Sequence, residues 1–149
     1  AKSIEADANS FASQLILPDY LVWPWVADRK PSLDLASAMG ADFQASLTAS
    51  TLKLLQRTKV PIAITCHDQR RLKWSRRSRD FSTDFYILNE LHQDTVAFDM
   101  AFGAAKGLSR PKRESASRWI SGPGVYRLEV WSQSIRLPEG SVLTMLEVV

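Results

Sequence analysis

The 149-residue chain contains a single cysteine, Cys66, and therefore cannot form an internal disulfide bond. Small secreted scaffolds usually depend on several disulfides, and we therefore expect a cytoplasmic protein. Long apolar runs are also lacking: the longest cover only a few residues, such as 20–23, whereas a membrane helix needs about 20. No secretory leader is visible, and no association with a membrane is expected.

Charge of either sign is not in large excess. With 19 basic and 16 acidic residues, the formal net charge is +3, which is small for a protein that binds nucleic acid. Hydrophobic residues make up 45% of the chain and charged residues 23%, proportions that are typical of globular proteins rather than of disordered chains. The first amphipathic segment is already under way within four residues of the start, so we expect the sequence to continue a longer protein.

The first part of the chain has the periodicity of helices. Apolar residues in the segment 4–15 recur at helical spacing, and a proline follows the segment. A second helix is predicted over 33–39, closed by Gly40, and a third over 46–57, with basic residues at its negative C-terminal end. We therefore expect a helical region over residues 1–58.

The second part has the shorter period of strands. Residues 60–66 are rich in β-branched side chains and 71–75 alternate, which predicts a hairpin that turns at 67–69. The weaker patterns that follow predict, in chain order, a strand over 85–91, a helix over 95–106, an exposed loop over 107–114, and strands near 126–130 and 142–149. Helices first and a mostly antiparallel sheet afterwards make an α+β fold, with residues 59–149 as the α+β region.

The most specific local pattern is E-x-x-A-N-x-F-A-x-x-L-I-x-P over residues 5–18. It resembles the segment E-x-x-A-N-x-F-A-x-x-L-L-x-P that follows the H-E-x-x-H helix in the ImmA/IrrE family of zinc metallopeptidases. The resemblance implies that residues 1–58 include the last helix of a zincin-like core, that Glu5 is the third zinc ligand, and that Asn9 supports a neighbouring ligand. Positions i and i+4 share one helix face, which suits these two roles. Without the resemblance, an acid in a first helical turn is more simply a partner of the helix dipole.

The other half of such a zinc site is absent from the sequence. No H-E-x-x-H occurs, and the only histidines, His67 and His92, are too far apart to act as two ligands on one helical turn. We therefore expect a fragment of a metallo-endopeptidase that contains no catalytic residue, binds no cofactor and is inactive alone. The resemblance implies zinc in the complete protein and a helix-turn-helix repressor as its protein substrate.

A weaker likeness to the same family lies over residues 45–55. This stretch is similar to the family's helix with V-S-x-x-A-A-x-x-R-L, and Lys53 falls near the position of the arginine. The order of elements that follows, a hairpin and then C-terminal strands, is similar to the tail of longer members. The two helices predicted over 33–55 also have the cadence of a helix-turn-helix, although the second helix offers no arginine before Arg57 for phosphate contacts.

A run of basic residues around Trp74 suggests a second class of function. Its members are Arg70, Arg71, Lys73, Arg76 and Arg77. Such a run can contact phosphates, with the tryptophan stacking on a base. More often such a run belongs to a solvated strand edge whose charges prevent aggregation. The alternative function is therefore a non-catalytic module, regulatory or nucleic-acid-binding. Cys66 and His67 would point to opposite faces of a strand, so Cys66 is predicted to be a small core residue.

Overall fold

The structure, a computed structural model, describes residues 17–27 and 29–149. In this part of the chain the helices come first and a mostly antiparallel sheet follows, which confirms the predicted α+β class. The chain divides into two compact units, with the boundary between Thr58 and Lys59. Among the described helices, none combines the length and the hydropathy that a membrane span requires.

Three helices are described in the first unit, namely α1 (Asp19–Val26), α2 (Leu33–Phe43) and α3 (Leu47–Arg57). The hydroxyl groups of Ser32 and Ser46 cap α2 and α3. Each accepts one 3.0 Å hydrogen bond from the backbone N–H three residues later, that of Leu35 or Ala49. These bonds satisfy donors that have no partner within the helix, which fixes where α2 and α3 begin. The predicted third helix is thereby confirmed.

The prediction that Gly40 closes α2 is wrong. The helix continues to Phe43 and ends at Gln44, whose φ of 55° is left-handed. A Cβ atom at Gly40 would lie 2.9 Å from the carbonyl oxygen of Ala45 and 2.9 Å from Oγ of Ser50. Glycine is therefore required here by the close approach of α3 to α2, rather than by a helix end.

The core of the first unit includes buried apolar residues of all three helices. Its members are Leu17, Val22, Ala36, Met39 and Leu54. A charged side chain is also buried here: Lys53 has no exposed surface, and its Nζ lies 2.6 Å from Oδ1 of Asp19. Arg57 binds the other oxygen of the same carboxylate. The start of α1 is therefore joined to the last two turns of α3.

The second unit contains a five-stranded antiparallel sheet with the order β2-β1-β7-β6-β4, and a separate pair, β3-β5. The strands are β1 (Ile62–His67), β2 (Leu72–Arg77), β3 (Tyr86–Ile87), β4 (Lys112–Ser115), β5 (Ile120–Ser121), β6 (Glu129–Arg136) and β7 (Val142–Val148). The helix α4 (Val96–Phe102) packs near β6 and β7. Its buried residues join those of the sheet in one apolar core that includes Met100, Trp119 and Leu146.

Several sequence predictions for this unit are confirmed. The hairpin at residues 60–75 is present as β1 and β2, and the C-terminal strand is present as β7. All six residues of β1 are buried, which agrees with its run of apolar and β-branched side chains. The predicted helix over 95–106 is present but ends at Phe102. Thr95 begins it by accepting a 3.2 Å bond from the backbone N–H of Phe98.

Three other predictions need correction. The strand expected over 85–91 is only two residues long, because it pairs with the equally short β5. Residues 125–127 form a 3₁₀ turn instead of the start of a strand. The exposed loop expected over 107–114 contains β4, which pairs with β6 at the edge of the described sheet. Charged residues and a preceding proline are tolerated on edge strands, and this composition resembles that of a loop.

Candidate binding cleft

Two hairpin turns lie side by side at one end of the five-stranded sheet. The end of β1 and the end of β6 both pair with the first residue of β7, since Val142 is opposite His67 on one side and Arg136 on the other. The β1–β2 turn and the β6–β7 turn are therefore neighbours. A cleft of about 440 Å³ lies between them, and α4 contributes Ala101 to its wall. The polar lining residues are Asp68, Gln69, Arg70, Lys73, Arg136, Glu139 and Ser141.

The β1–β2 turn is held by Asp68. Its Oδ1 accepts backbone N–H bonds of 2.7 Å from Arg70 and 2.8 Å from Arg71, the arrangement of an Asx turn. Because these bonds favour the ionised carboxylate, they lower the pKa of Asp68 below its ordinary value. The neighbouring Gln69 donates a 2.7 Å bond from Nε2 to the carbonyl oxygen of Ala101. The turn is thus fixed both internally and against α4.

The β6–β7 turn is held in a similar way. The backbone N–H of Leu137 donates to the carbonyl oxygen of Ser141 at 2.8 Å, and Gly140 adopts a φ of 101°. The buried hydroxyl of Ser141 donates to Glu139, and this bond lowers the pKa of the Glu139 carboxyl. Beneath Ser141 lies Cys66, whose Sγ is 3.5 Å from the serine Oγ. Burial raises the pKa of the Cys66 thiol, which favours the protonated form that donates to Ser141.

Three cationic side chains of the cleft have no ion-pair partner among the described residues. The charged groups of Arg70, Lys73 and Arg136 make no ion pair or hydrogen bond with other residues in the part of the chain that the structure describes. The charge of Lys73 contributes to lowering the pKa values of Asp68 and Glu139, so this lysine lies near both carboxylates. The cleft thus combines three positive and two negative groups.

The basic run predicted from the sequence does not form one surface. Arg70 and Lys73 line the cleft, whereas Arg76 lies over the ring of Trp74 at 5.9 Å. Arg77 lies over Phe81 at 5.4 Å and donates to the carbonyl oxygen of Ser82 at 3.0 Å. Residues 76 and 77 alternate in β2, so their side chains leave opposite faces of the sheet. Arg71 is exposed in the turn.

The predicted zinc ligand Glu5 and its support Asn9 lie outside the described residues. Within them, no group of three or more histidine, cysteine, aspartate or glutamate side chains is placed to hold a metal ion. Nε2 of His67 lies 3.0 Å from the carbonyl oxygen of Leu88, and burial lowers the pKa of the imidazole. His92 accepts a 3.1 Å bond at Nδ1 from a backbone N–H two residues later. Both histidines therefore have structural contacts.

The cleft was not predicted from the sequence. The two turns were recognisable from their turn-forming residues, but their adjacency depends on the insertion of β7 between β1 and β6, which is not encoded locally. Arg136 lies at the end of a strand, and nothing in the sequence distinguishes it there from an ordinary surface charge. Compared with known proteins, the chain matches no family model and no curated protein.

Proposed function

We propose that this chain is the C-terminal portion of a cytoplasmic zinc metallo-endopeptidase of the ImmA/IrrE type, which acts on helix-turn-helix repressor proteins. The motif over residues 5–18 carries this proposal, because it combines a spaced Glu5 and Asn9 with the family's apolar positions and final proline. Glu5 would be the third zinc ligand, and Asn9 would support a neighbouring ligand.

The described residues contain no group of three or more histidine, cysteine, aspartate or glutamate side chains placed to hold a metal ion, and the sequence lacks H-E-x-x-H. Two ligands and the general base would have to come from residues outside this chain. When bound, zinc supplies a water of lowered pKa for peptide-bond hydrolysis. The described residues themselves contribute no step of that chemistry, so the isolated chain is expected to be inactive.

The gene upstream of Ala1 provides the first test, since the proposal requires an in-frame H-E-x-x-H there. The longer protein should then bind about one zinc ion per chain, as catalytic sites of this kind do. Glu5→Gln should sharply reduce the zinc content measured by atomic emission, whereas Glu90→Gln, which alters an exposed carboxylate, should not. Unchanged zinc content in Glu5→Gln would remove this residue from the site.

A non-catalytic regulatory role is the second candidate, for residues 59–149. The observation that favours it is the cleft, whose three cations have no ionic partner among the described residues although two carboxylates are close by. Uncommitted charges in a concave site are more typical of ligand binding than of structural support. If the cleft regulates hydrolysis, Arg136→Gln should change the rate at which the longer protein cleaves its substrate without changing its zinc content.

Nucleic-acid binding by the basic run is the alternative form of a non-catalytic role. Trp74 is half-buried beside the exposed Arg76 on an edge strand, the pairing that a stacked base would use. Binding of this kind depends steeply on salt because counterions are released. Affinity for single-stranded DNA and RNA should therefore fall with each increase in salt, and a flat response would exclude phosphate recognition by Arg76 and its neighbours.

A further inference from the structure

The cleft between the two hairpin turns has the dimensions of a small-molecule site. Its volume of about 440 Å³ lies within the roughly 300–1,000 Å³ that ligand pockets usually enclose. The walls are mainly charged and polar, in contrast to the apolar walls of most drug-like sites. A ligand that fits both the size and the lining is therefore small and itself charged.

The positive groups select the anionic part of such a ligand. Arg70 lies in the β1–β2 turn and Arg136 at the end of β6, and both line one cleft. A guanidinium presents planar, paired donors that match a carboxylate, which gives bidentate bonds stronger than those between neutral groups. Since neither arginine has an ionic partner among the described residues, an incoming carboxylate would not have to displace one.

The negative groups select a second, cationic part. Oδ1 of Asp68 is occupied by two backbone N–H groups, but an ionised carboxylate has about four acceptor positions in all. Glu139 is likewise ionised and held by Ser141 at the mouth of the other turn. A plain anion in this cleft would meet two carboxylates, and a plain amine would meet three cations. A ligand that carries both charges avoids both repulsions.

We propose that the cleft binds a small zwitterion of the amino-acid or dipeptide class, with its carboxylate on Arg70 and Arg136 and its ammonium group near Asp68 and Glu139. This inference rests on the regulatory role proposed for residues 59–149 and names the ligand class of that site. It is independent of the peptidase resemblance, which concerns residues 5–18.

Calorimetric titration of the 149-residue chain tests the inference. The probes are a panel of free α-amino acids and alanyl-alanine, compared with propionate, propylamine and inorganic phosphate. At least one zwitterion should bind saturably, and more tightly than any of the three singly functional probes. Replacing a charge-assisted bond of about 1.5–3 kcal/mol should weaken binding by about 10- to 150-fold, so Arg136→Gln and the exposed Arg70→Gln should each show a loss in this range. Arg79→Gln, an exposed arginine beyond the far end of β2, is the matched control and should bind normally.

Three outcomes would overturn the ligand class: no zwitterion binds, any of propionate, propylamine or phosphate binds as tightly, or Arg70→Gln and Arg136→Gln bind normally. Thermal unfolding of each variant distinguishes a lost contact from a lost fold, and Arg70→Gln alters an exposed turn residue, whose replacement should leave the fold intact. Failure of the regulatory role gives a different result: the zwitterion binds as expected but leaves the hydrolytic rate of the longer protein unchanged.

Discussion

Nζ of Lys53 lies 2.6 Å from Oδ1 of Asp19, and the lysine side chain has no exposed surface. Asp19 is the first residue of α1, where a negative charge is favoured by the helix dipole, and Arg57 binds its second oxygen. The pair therefore places a fully buried ammonium group against a carboxylate at a helix start. Lys53 therefore has a structural role in the first unit.

Removal of the carboxylate at position 19 should be costly because the buried charge of Lys53 would lose its partner. Asp19 is itself 44% exposed, so we expect Asp19→Asn to lower the free energy of unfolding by about 2 kcal/mol, less than for a fully buried pair. Adding Lys53→Met should restore part of the loss, since the unpaired charge is then absent. Urea unfolding measures both effects, with Asp42→Asn on the exposed side of α2 as the control. A single Asp19→Asn variant as stable as the parent would contradict this assignment.

Glu114 should be the most important single carboxylate of the sheet. It is buried in β4, where it accepts a 3.0 Å bond from the indole N–H of Trp119, a 3.3 Å bond from Arg118 and the hydroxyl proton of Ser132. Glu114→Ala would leave these donors without an acceptor and should lower the unfolding free energy by about 3 kcal/mol. Glu129→Ala, which breaks an exposed pair with Arg113, should cost less than about 1 kcal/mol. Equal losses in the two variants, measured by urea unfolding, would show that Glu114 stabilises the sheet no more than an exposed carboxylate does.

Gly122 should tolerate no side chain. Its φ is +149°, and an added Cβ would lie 2.7 Å from the carbonyl oxygen of Asp84. At Gly107, by contrast, φ is +87° and no heavy atom lies within 4 Å of the added Cβ. Gly107→Ala should therefore lower the free energy of unfolding only through backbone strain, by roughly 1–2 kcal/mol. Gly122→Ala should lower it by about 1–3 kcal/mol more, because the added Cβ overpacks the site. Thermal unfolding of both variants provides the comparison, and a smaller loss at 122 than at 107 would refute it.

The buried imidazole of His67 should make stability depend on acid. Burial lowers its pKa in the folded state below the ordinary value of about 6.5. The unfolded chain then takes up a proton at a higher pH than the folded chain does, so the His67 contribution is complete above about pH 6.5 and decreases as the pH falls below it. His67→Phe should flatten the decrease between pH 7 and 5, while His92→Gln should retain it. Denaturant midpoints across this pH range measure the slope, and an unchanged slope in His67→Phe would rule out this cause.

Cys66 should be unreactive in the folded chain. Its side chain is 1% exposed, and burial raises the pKa of the thiol, so both access and the thiolate fraction are reduced. A thiol reagent with a coloured product should label the native protein slowly and the urea-unfolded protein rapidly. Fast labelling of the native chain would mean that the thiol opens to solvent through the cleft above it.

The parts of the fold that the sequence predicts correctly are those determined by local patterns. The starts of α2 and α3 and the apolar run of β1 depend on neighbours in the sequence, and each appears where expected. The errors arise where the local structure depends on contacts with residues outside the local sequence pattern. Gly40 resembles a helix stop in the sequence, because the atoms that require a glycine there belong to residue 45, which precedes α3, and to residue 50 on α3. The charged strand β4 resembles a loop because only its pairing with β6 identifies it.

The candidate site shows the same division. The basic run was visible in the sequence, but its members separate into the cleft, the Trp74 side and the Phe81 side of β2. The cleft needs Arg70 and Arg136 together, and these residues are brought to one place only by the strand order. The proposed peptidase chemistry rests on a sequence pattern in residues 5–18, whereas the charged cleft becomes visible only in three dimensions.

Both sides of the cleft are hairpin turns, while the sheet beneath them is held by ladders of strand pairs that end before the turns begin. Residues 68–71 and 137–141 can therefore vary in length and charge without changing any pairing of β1, β6 or β7. Exchanges in these two short segments would change part of the cleft lining, while Lys73 on β2 and Arg136 at the end of β6 would stay in place. A designer could likewise graft new recognition loops at this end of the sheet and leave the rest of the scaffold untouched.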